Sequence, residues 1–188
     1  MRSEIVFAGF GGQGVIKAAL LLAEAAGLIE GKEVAQTQSY GPEARGGACR
    51  SEVVISDREI DYLKTLRTDC FVVMSQPALD KYQDKLDPES SVVIADTTLV
   101  TNRPPGLKKV FSVRATEIAE KELGRSLFAN IIMLGVFAGI TRLVAVESLK
   151  QALAGNVPEK TLAWNVQALD RGFQIGSRLR SKSESGVV

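Results

Sequence analysis

The stretch EIVFAGFGGQGVIKAALLLAEAAGLI, Glu4 to Ile29, decides the fold. Glu4 to Ala8 is β-branched and aromatic and stops at Gly9, whereas Val15 to Ile29 is rich in Ala and Leu and has helical character. Between them GFGGQG, with glycines at 9, 11, 12 and 14, meets the G-x-G-x-x-G template in a strand–loop–helix setting. Glycines let backbone N–H groups approach a phosphate closely. The helix N-terminus, starting near Gln13, adds about half a unit of positive charge. The same loop also arises where a strand and a helix simply pack closely, with no ligand.

A nicotinamide or flavin site needs an acidic side chain at the end of the second strand, to bind the ribose hydroxyls. Here the second strand, Glu33 to Thr37, has its acid at the start and Gln36, Thr37 and Gln38 at the end, so that group is missing. The segment QTQSYGPEARGGACRS, Gln36 to Ser51, then carries tight turns at Gly41-Pro42 and Gly46-Gly47. Glu43 and Arg45 are spaced for an ion pair between those turns, and Gln38 and Tyr40 precede them. Strand carboxyl ends share one edge of an open α/β sheet, so the loops at Gly9–Gly14 and Ser39–Gly47 are expected side by side. The candidate site therefore comprises Gly11, Gly12, Gln13, Gly14, Ser39, Tyr40, Gly41, Glu43, Arg45, Gly46 and Gly47. Asn130, the polar exception in the apolar run Phe128 to Leu143, joins it; a buried Asn must be hydrogen-bonded, to backbone or to a ligand.

The chain of 188 residues fits one domain, expected over 1–177, with 178–188 as a basic, Ser/Gly-rich tail. A net charge of +1 gives no reason to expect nucleic acid as a partner. The complete lack of histidine removes the commonest general base, the commonest metal ligand and any Ser-His triad. Cys49 and Cys70 lie apart and outside any CxxC pair, so neither an iron–sulfur nor a zinc site is expected within this chain; both read as small buried apolar groups. No apolar segment of signal-peptide length follows Met1, and Ile131 to Ile140 is too short to span a bilayer, so a cytoplasmic protein without membrane contact is expected.

The remaining pattern predicts a three-layer α/β/α domain with a mainly parallel, mixed sheet, a Rossmann-like glycine loop after the first strand and a helical C-terminal third. Cys49 to Ser56 alternates as a half-exposed strand, and Glu59 to Tyr62 is expected to return as a short antiparallel edge strand. Cys70 to Met74 and Val92 to Ala95 read as central strands, and Lys109 to Val113 as the last. Ser75 is expected to cap a helix ending at Asp87-Pro88, and Thr116 to cap one ending at Gly124. Glu147 to Ala154 forms a helix closed by Gly155-Asn156, and Pro158 starts the last one, ending near Leu179.

GFGGQG, then QTQSYGPEARGG, then a strand with SEVVISD, resembles the gamma subunit of 2-oxoacid:ferredoxin oxidoreductases and is similar to domain III of pyruvate:ferredoxin oxidoreductase. Asn130 to Gly135 (NIIMLG) and Asn165 to Gly172 (NVQALDRG) extend the resemblance over residues 4–173. SYGPEARGG is most similar to the 2-oxoglutarate and branched-chain oxoacid versions. The resemblance implies a non-redox subunit of a complex that decarboxylates a 2-oxoacid to its acyl-CoA. It places thiamine diphosphate, Mg and [4Fe-4S] clusters in alpha, beta and candidate ferredoxin-like delta subunits, with ferredoxin as the electron acceptor. Coenzyme A is the one cofactor this chain is a candidate to contact, through the glycine loop and Arg45; self-pairing as a homodimer is open in isolation. A free-standing nucleotide-binding module and a purely structural assembly subunit are the competing readings.

Overall fold

The computed structural model describes residues 1–39, 47–103 and 106–185. Six strands form one sheet: β1 (Arg2–Phe10), β2 (Glu33–Gln38), β3 (Ala48–Ser56), β4 (Cys70–Val73), β5 (Val92–Asp96) and β6 (Lys109–Val113), in the order β2-β3-β1-β4-β5-β6. β1, β4, β5 and β6 are parallel, while β3 runs antiparallel to both β1 and β2. The helices are α1 (Val15–Glu24), α2 (Gln76–Tyr82), α3 (Ala115–Leu123), α4 (Ala129–Thr141), α5 (Val146–Asn156) and α6 (Glu159–Glu184). The expected mixed α/β sheet with a helical C-terminal third is what forms.

Alternation along the strands splits the core in two. Ile5, Phe7, Val53, Val72 and Ile94 point to the face covered by α1 and the C-terminal helices. Val6, Ala8, Phe71, Val73 and Val93 point to the face that α2 covers with Ala78, Leu79 and Tyr82. Phe7 meets Phe137 of α4 with ring centroids 5.8 Å apart.

Helix α4 is buried along almost its whole length, which its near-uniform apolar composition requires. Its contact with α6 is backbone to backbone: a Cβ at Gly135 would lie 2.3 Å from the Leu169 carbonyl, and one at Gly139 2.6 Å from that of Phe173. Reciprocally, a Cβ at Gly172 would lie 2.0 Å from the Ile132 carbonyl, and one at Gly176 2.3 Å from that of Val136. The four glycines are therefore steric requirements of one helix crossing.

Several boundaries differ from expectation. Glu59 to Tyr62 forms no strand. Carboxylates take the place of a ladder: Glu52 Oε2 accepts from the Thr65 amide at 3.1 Å, and Glu4 Oε2 from those of Leu66 and Arg67 at 2.6 and 2.9 Å. The Arg2 guanidinium donates to the carbonyls of Tyr62 and Lys64 at 2.9 and 3.3 Å. This irregular segment lies over β3, so Glu52 and Val54, expected half-exposed, are buried.

Thr116 is not the cap of α3. Arg114 holds that position, and Asp96, fully buried at the end of β5, accepts from both the amide and the hydroxyl of Thr116 through Oδ2. Helix α2 stops at Tyr82, short of Asp87, and continues as one 3-10 turn. Gly155 and Asn156 lie inside α5, and α6 runs on to Glu184 instead of ending near Leu179. Gly124 does close α3, at φ 74°.

Gly172→Ala is expected to destabilise the chain by about 2–3 kcal/mol, because the added methyl must push two helix backbones apart. Gly155→Ala, at an exposed position of α5 with open space around its Cβ, is expected to add about 0.5–1 kcal/mol. Urea titrations of the two variants check both signs.

Candidate functional site

The carboxyl end of β1 runs directly into the glycine loop. Gly12 and Gly14 have φ of 98° and 76°, which an L side chain adopts only with strain. Gly14 is the N-cap of α1 and has no side chain with which to satisfy the first-turn amides. Those amides have no acceptor within the helix, and the helix dipole adds positive potential there. A cavity of 370 Å³ opens at this point, lined by Gly11, Gly12, Gly14, Val15, Lys17 and Cys49, among others. Cys49 is 2% exposed. Burial pushes its thiol pKa up, so it contributes no thiolate.

Two of the expected site residues fasten the loop in place. Gln13 Oε1 accepts from the Phe10 amide at 2.6 Å, and its Nε2 donates to the Met74 carbonyl at 2.9 Å. The side chain thus ties the loop to the ends of β1 and β4. Asn130 Nδ2 donates to the Gly14 carbonyl at 3.1 Å, and its Oδ1 accepts from the Ile131 amide at 2.9 Å. A Cβ at Gly14 would lie 2.3 Å from that Nδ2, so Gly14 is required by Asn130 as well as by its own φ.

The second loop meets the first at one end, Gly47. The Gly11 amide donates to the Gly47 carbonyl at 3.2 Å. Ser39 is bound to Arg50: its amide donates to the Arg50 carbonyl at 3.1 Å, and its Oγ accepts from the Arg50 amide at 3.3 Å. The neighbourhood is made by the β2–β3 hairpin, with β3 inserted between β1 and β2. Tyr40, Gly41, Glu43, Arg45 and Gly46 lie outside the described residues.

That insertion also gives the missing ribose acid a physical meaning. In a dinucleotide site the second strand neighbours the first, whereas here the end of β2 lies two strand spacings, roughly 10 Å, from β1. An acid there would have no ribose to meet.

Arg50 is a residue of this region that the sequence pattern does not single out. Its guanidinium lies 3.0 Å from Glu52 Oε1 and 4.8 Å above the ring of Tyr82, whose hydroxyl donates to the Ala48 carbonyl at 2.8 Å. With Ser39 and Lys64 it lines a 230 Å³ hollow on the sheet face opposite the glycine cavity. The alternation of β3 puts Arg50 and Glu52 on one face, but nothing in the sequence joins them to Tyr82.

A larger cavity, 540 Å³, lies at the far edge of the sheet between α3 and α6. The carboxylates on its wall are already paired: Glu122 with Arg171 at 2.7 Å, and Glu117 with Lys121 at 2.6 Å. The hydrogen bond from Arg171 holds the Glu122 pKa below the usual range. Among the described residues no group of three or more His, Cys, Asp or Glu is placed to hold a metal ion. No described helix is long and apolar enough to cross a membrane.

Residues 4–175 match the family described as pyruvate ferredoxin/flavodoxin oxidoreductase. The chain is 44% identical to the 2-oxoglutarate synthase subunit KorC of Methanocaldococcus jannaschii, over 95% of this chain and 96% of that one. Its structure is similar to that of the keto/oxoacid ferredoxin oxidoreductase gamma subunit of Geobacter sulfurreducens, with a TM-score of 0.86, 38% identity, and 95% and 98% of the two chains covered. The ketoisovalerate oxidoreductase subunit VorA of Methanothermobacter thermautotrophicus is 35% identical over 91% of this chain, but that match spans only 36% of VorA.

Gln13→Ala is expected to cost about 1–3 kcal/mol of folding stability, because it strands the Phe10 amide and the Met74 carbonyl together. Thermal unfolding of the isolated chain is the check; an unchanged Tm would return Gln13 to a ligand-facing role.

Proposed function

The chain belongs to the pyruvate ferredoxin/flavodoxin oxidoreductase family, and from that premise we propose that its glycine edge serves acyl transfer to coenzyme A in a 2-oxoglutarate-oxidising complex. It is a gamma-type subunit of a 2-oxoglutarate:ferredoxin oxidoreductase, and the observation that carries this is the end-to-end match to a 2-oxoglutarate synthase subunit. Thiamine diphosphate, Mg and the [4Fe-4S] clusters are assigned to the alpha, beta and delta subunits, and ferredoxin to the role of electron acceptor. The chain's own contribution is to close one side of the catalytic cavity.

For coenzyme A, the support is physical. The glycine cavity combines first-turn amides of α1 and a positive dipole end with an apolar wall of Val15 and Leu20, while Lys17 on its lining donates its ammonium to Asn156 Oδ1 at 2.9 Å. Such a surface suits a phosphate-bearing ligand with an apolar arm. Gln13 and Asn130 act by holding this surface in shape, and Arg45 is assigned to the same edge as a fixed cation. A free-standing dinucleotide module is disfavoured because β3 displaces the strand that would carry the ribose acid.

The reconstituted complex is expected to reduce a dye most rapidly with 2-oxoglutarate, ahead of pyruvate and 3-methyl-2-oxobutanoate, and only when coenzyme A is supplied. Arg45→Ala should leave the stability of the isolated chain within about 0.5 kcal/mol of the parent. In the complex it should raise the apparent KM for coenzyme A about tenfold, the effect of losing one charged hydrogen bond. An unchanged KM would remove Arg45 from the site.

A further inference from the structure

The 540 Å³ cavity between α3 and α6 has a polarity that the function proposed above does not use. Its volume falls in the range of small-molecule sites, roughly 300–1,000 Å³. Part of its lining is apolar: Val113 at the end of β6, Ile118 of α3, and Ile175 and Leu179 of α6. The last three are half-buried and continue the main core outward into the cavity.

The charged lining divides in two. On the α3 side each carboxylate already has its cation: Glu122 receives Arg171 at 2.7 and 2.8 Å, and Glu117 lies 2.6 Å from both Arg114 and Lys121. That wall takes up all the negative charge on the lining, and two cations remain, Arg178 and Lys182. Among the described residues neither of these side chains has a hydrogen bond or an ion pair. Other cations of α6 do find acids, Arg171 in Glu122 and Arg180 in Glu184. Arg178 and Lys182 stand four residues apart on one face of the helix, where like charges repel. Read from sequence as the start of a basic tail, they belong to a helix that runs on to Glu184 and carries them along the cavity.

The position suits a ligand. Ser112 and Val113 bring the cavity to the carboxyl end of β6, and open α/β sheets bind ligands outside the carboxyl ends of their strands. The glycine loop occupies the same edge at β1, but β4 and β5 stand between, so the two cavities are separate. An uncharged hydrocarbon would leave the two cations without a partner, and a fully polar anion would leave the apolar lining wet. A carboxylate with an apolar chain satisfies both, since a guanidinium and an ammonium together match its charge and its oxygens. We propose that this cavity binds a small organic acid, its carboxylate held by Arg178 and Lys182 and its apolar chain lying along Ile118, Ile175 and Leu179. The proposal is independent of the coenzyme A reading and of the glycine edge.

The test is titration of the full chain with decanoate, followed by amide NMR. Decanoate is expected to shift the amides of Val113, Ile118 and Ile175 to Leu179. It should bind at least tenfold more tightly than decyltrimethylammonium, which has the chain with the opposite charge, and than acetate, which has the head without the chain. Arg178→Gln/Lys182→Gln should melt as the parent does and bind decanoate about tenfold more weakly, the effect of losing a charged hydrogen bond. Arg125→Gln/Lys160→Gln, which removes two exposed cations elsewhere on the surface, should bind it as the parent does. No shift at these amides overturns the inference. Equal binding of the two amphiphiles, or equal affinity of the Arg178/Lys182 variant and the parent, reduces the cavity to an apolar crevice and overturns it too. Radiolabelled decanoate should also stay bound to the assembled complex in equilibrium dialysis; its loss on assembly shows that another subunit covers the groove and refutes a ligand site there.

Discussion

The close crossing of α4 on α6 is the constraint from which the site is built. Four glycines allow two helix backbones to touch, and that contact fixes α4 against the sheet. Asn130 stands in the first turn of α4 and holds the Gly14 carbonyl. The glycine loop is therefore shaped from behind by a helix more than a hundred residues away in sequence. Its geometry depends on the C-terminal third as much as on its own glycines.

Gln13 completes this arrangement from the other side. One amide side chain satisfies a donor at the end of β1 and an acceptor just beyond β4. Two neighbouring parallel strands are thereby locked at the carboxyl edge, next to the backbone bond from the Met74 amide to the Ala8 carbonyl. A loop rigid in this way can present amides to a ligand without first being ordered, which lowers the entropic cost of binding. Gln13, read from sequence as part of the candidate site, and Asn130, for which the sequence left backbone or ligand open, both spend their amide groups on backbone.

How much of this the sequence discloses varies with the range of the interaction. Strand–loop–helix at Glu4 to Ile29 is legible because periodicity and glycine spacing are local properties. The same holds for the buried strands at Cys70 and Val92, and for the αL stop at Gly124. The segment after β3 is not legible: Glu59 to Tyr62 resembles a strand but forms none, and the residues that follow it are held by the distant carboxylates of Glu4 and Glu52, at the amides of Thr65, Leu66 and Arg67. Thr116 misleads for a similar reason, since a local pattern makes it a cap within its own segment while its acceptor, Asp96, comes from a neighbouring strand. Neither the insertion of β3 between β1 and β2 nor the Arg50–Tyr82 contact leaves a trace in local pattern.

The insertion of β3 has a mechanistic consequence. In a dinucleotide fold the first two strands together grip both halves of a ligand, pyrophosphate on one and ribose on the other. Here an antiparallel strand separates them, so only one end of the hairpin reaches the first strand's loop: Gly47 joins the glycine loop, whereas Ser39 bonds Arg50 within the hairpin itself. The glycine cavity lies on one face of the sheet and the Arg50 hollow on the other. The glycine loop and the first turn of α1 therefore stand along an open edge, without the neighbouring strand end that completes a dinucleotide site.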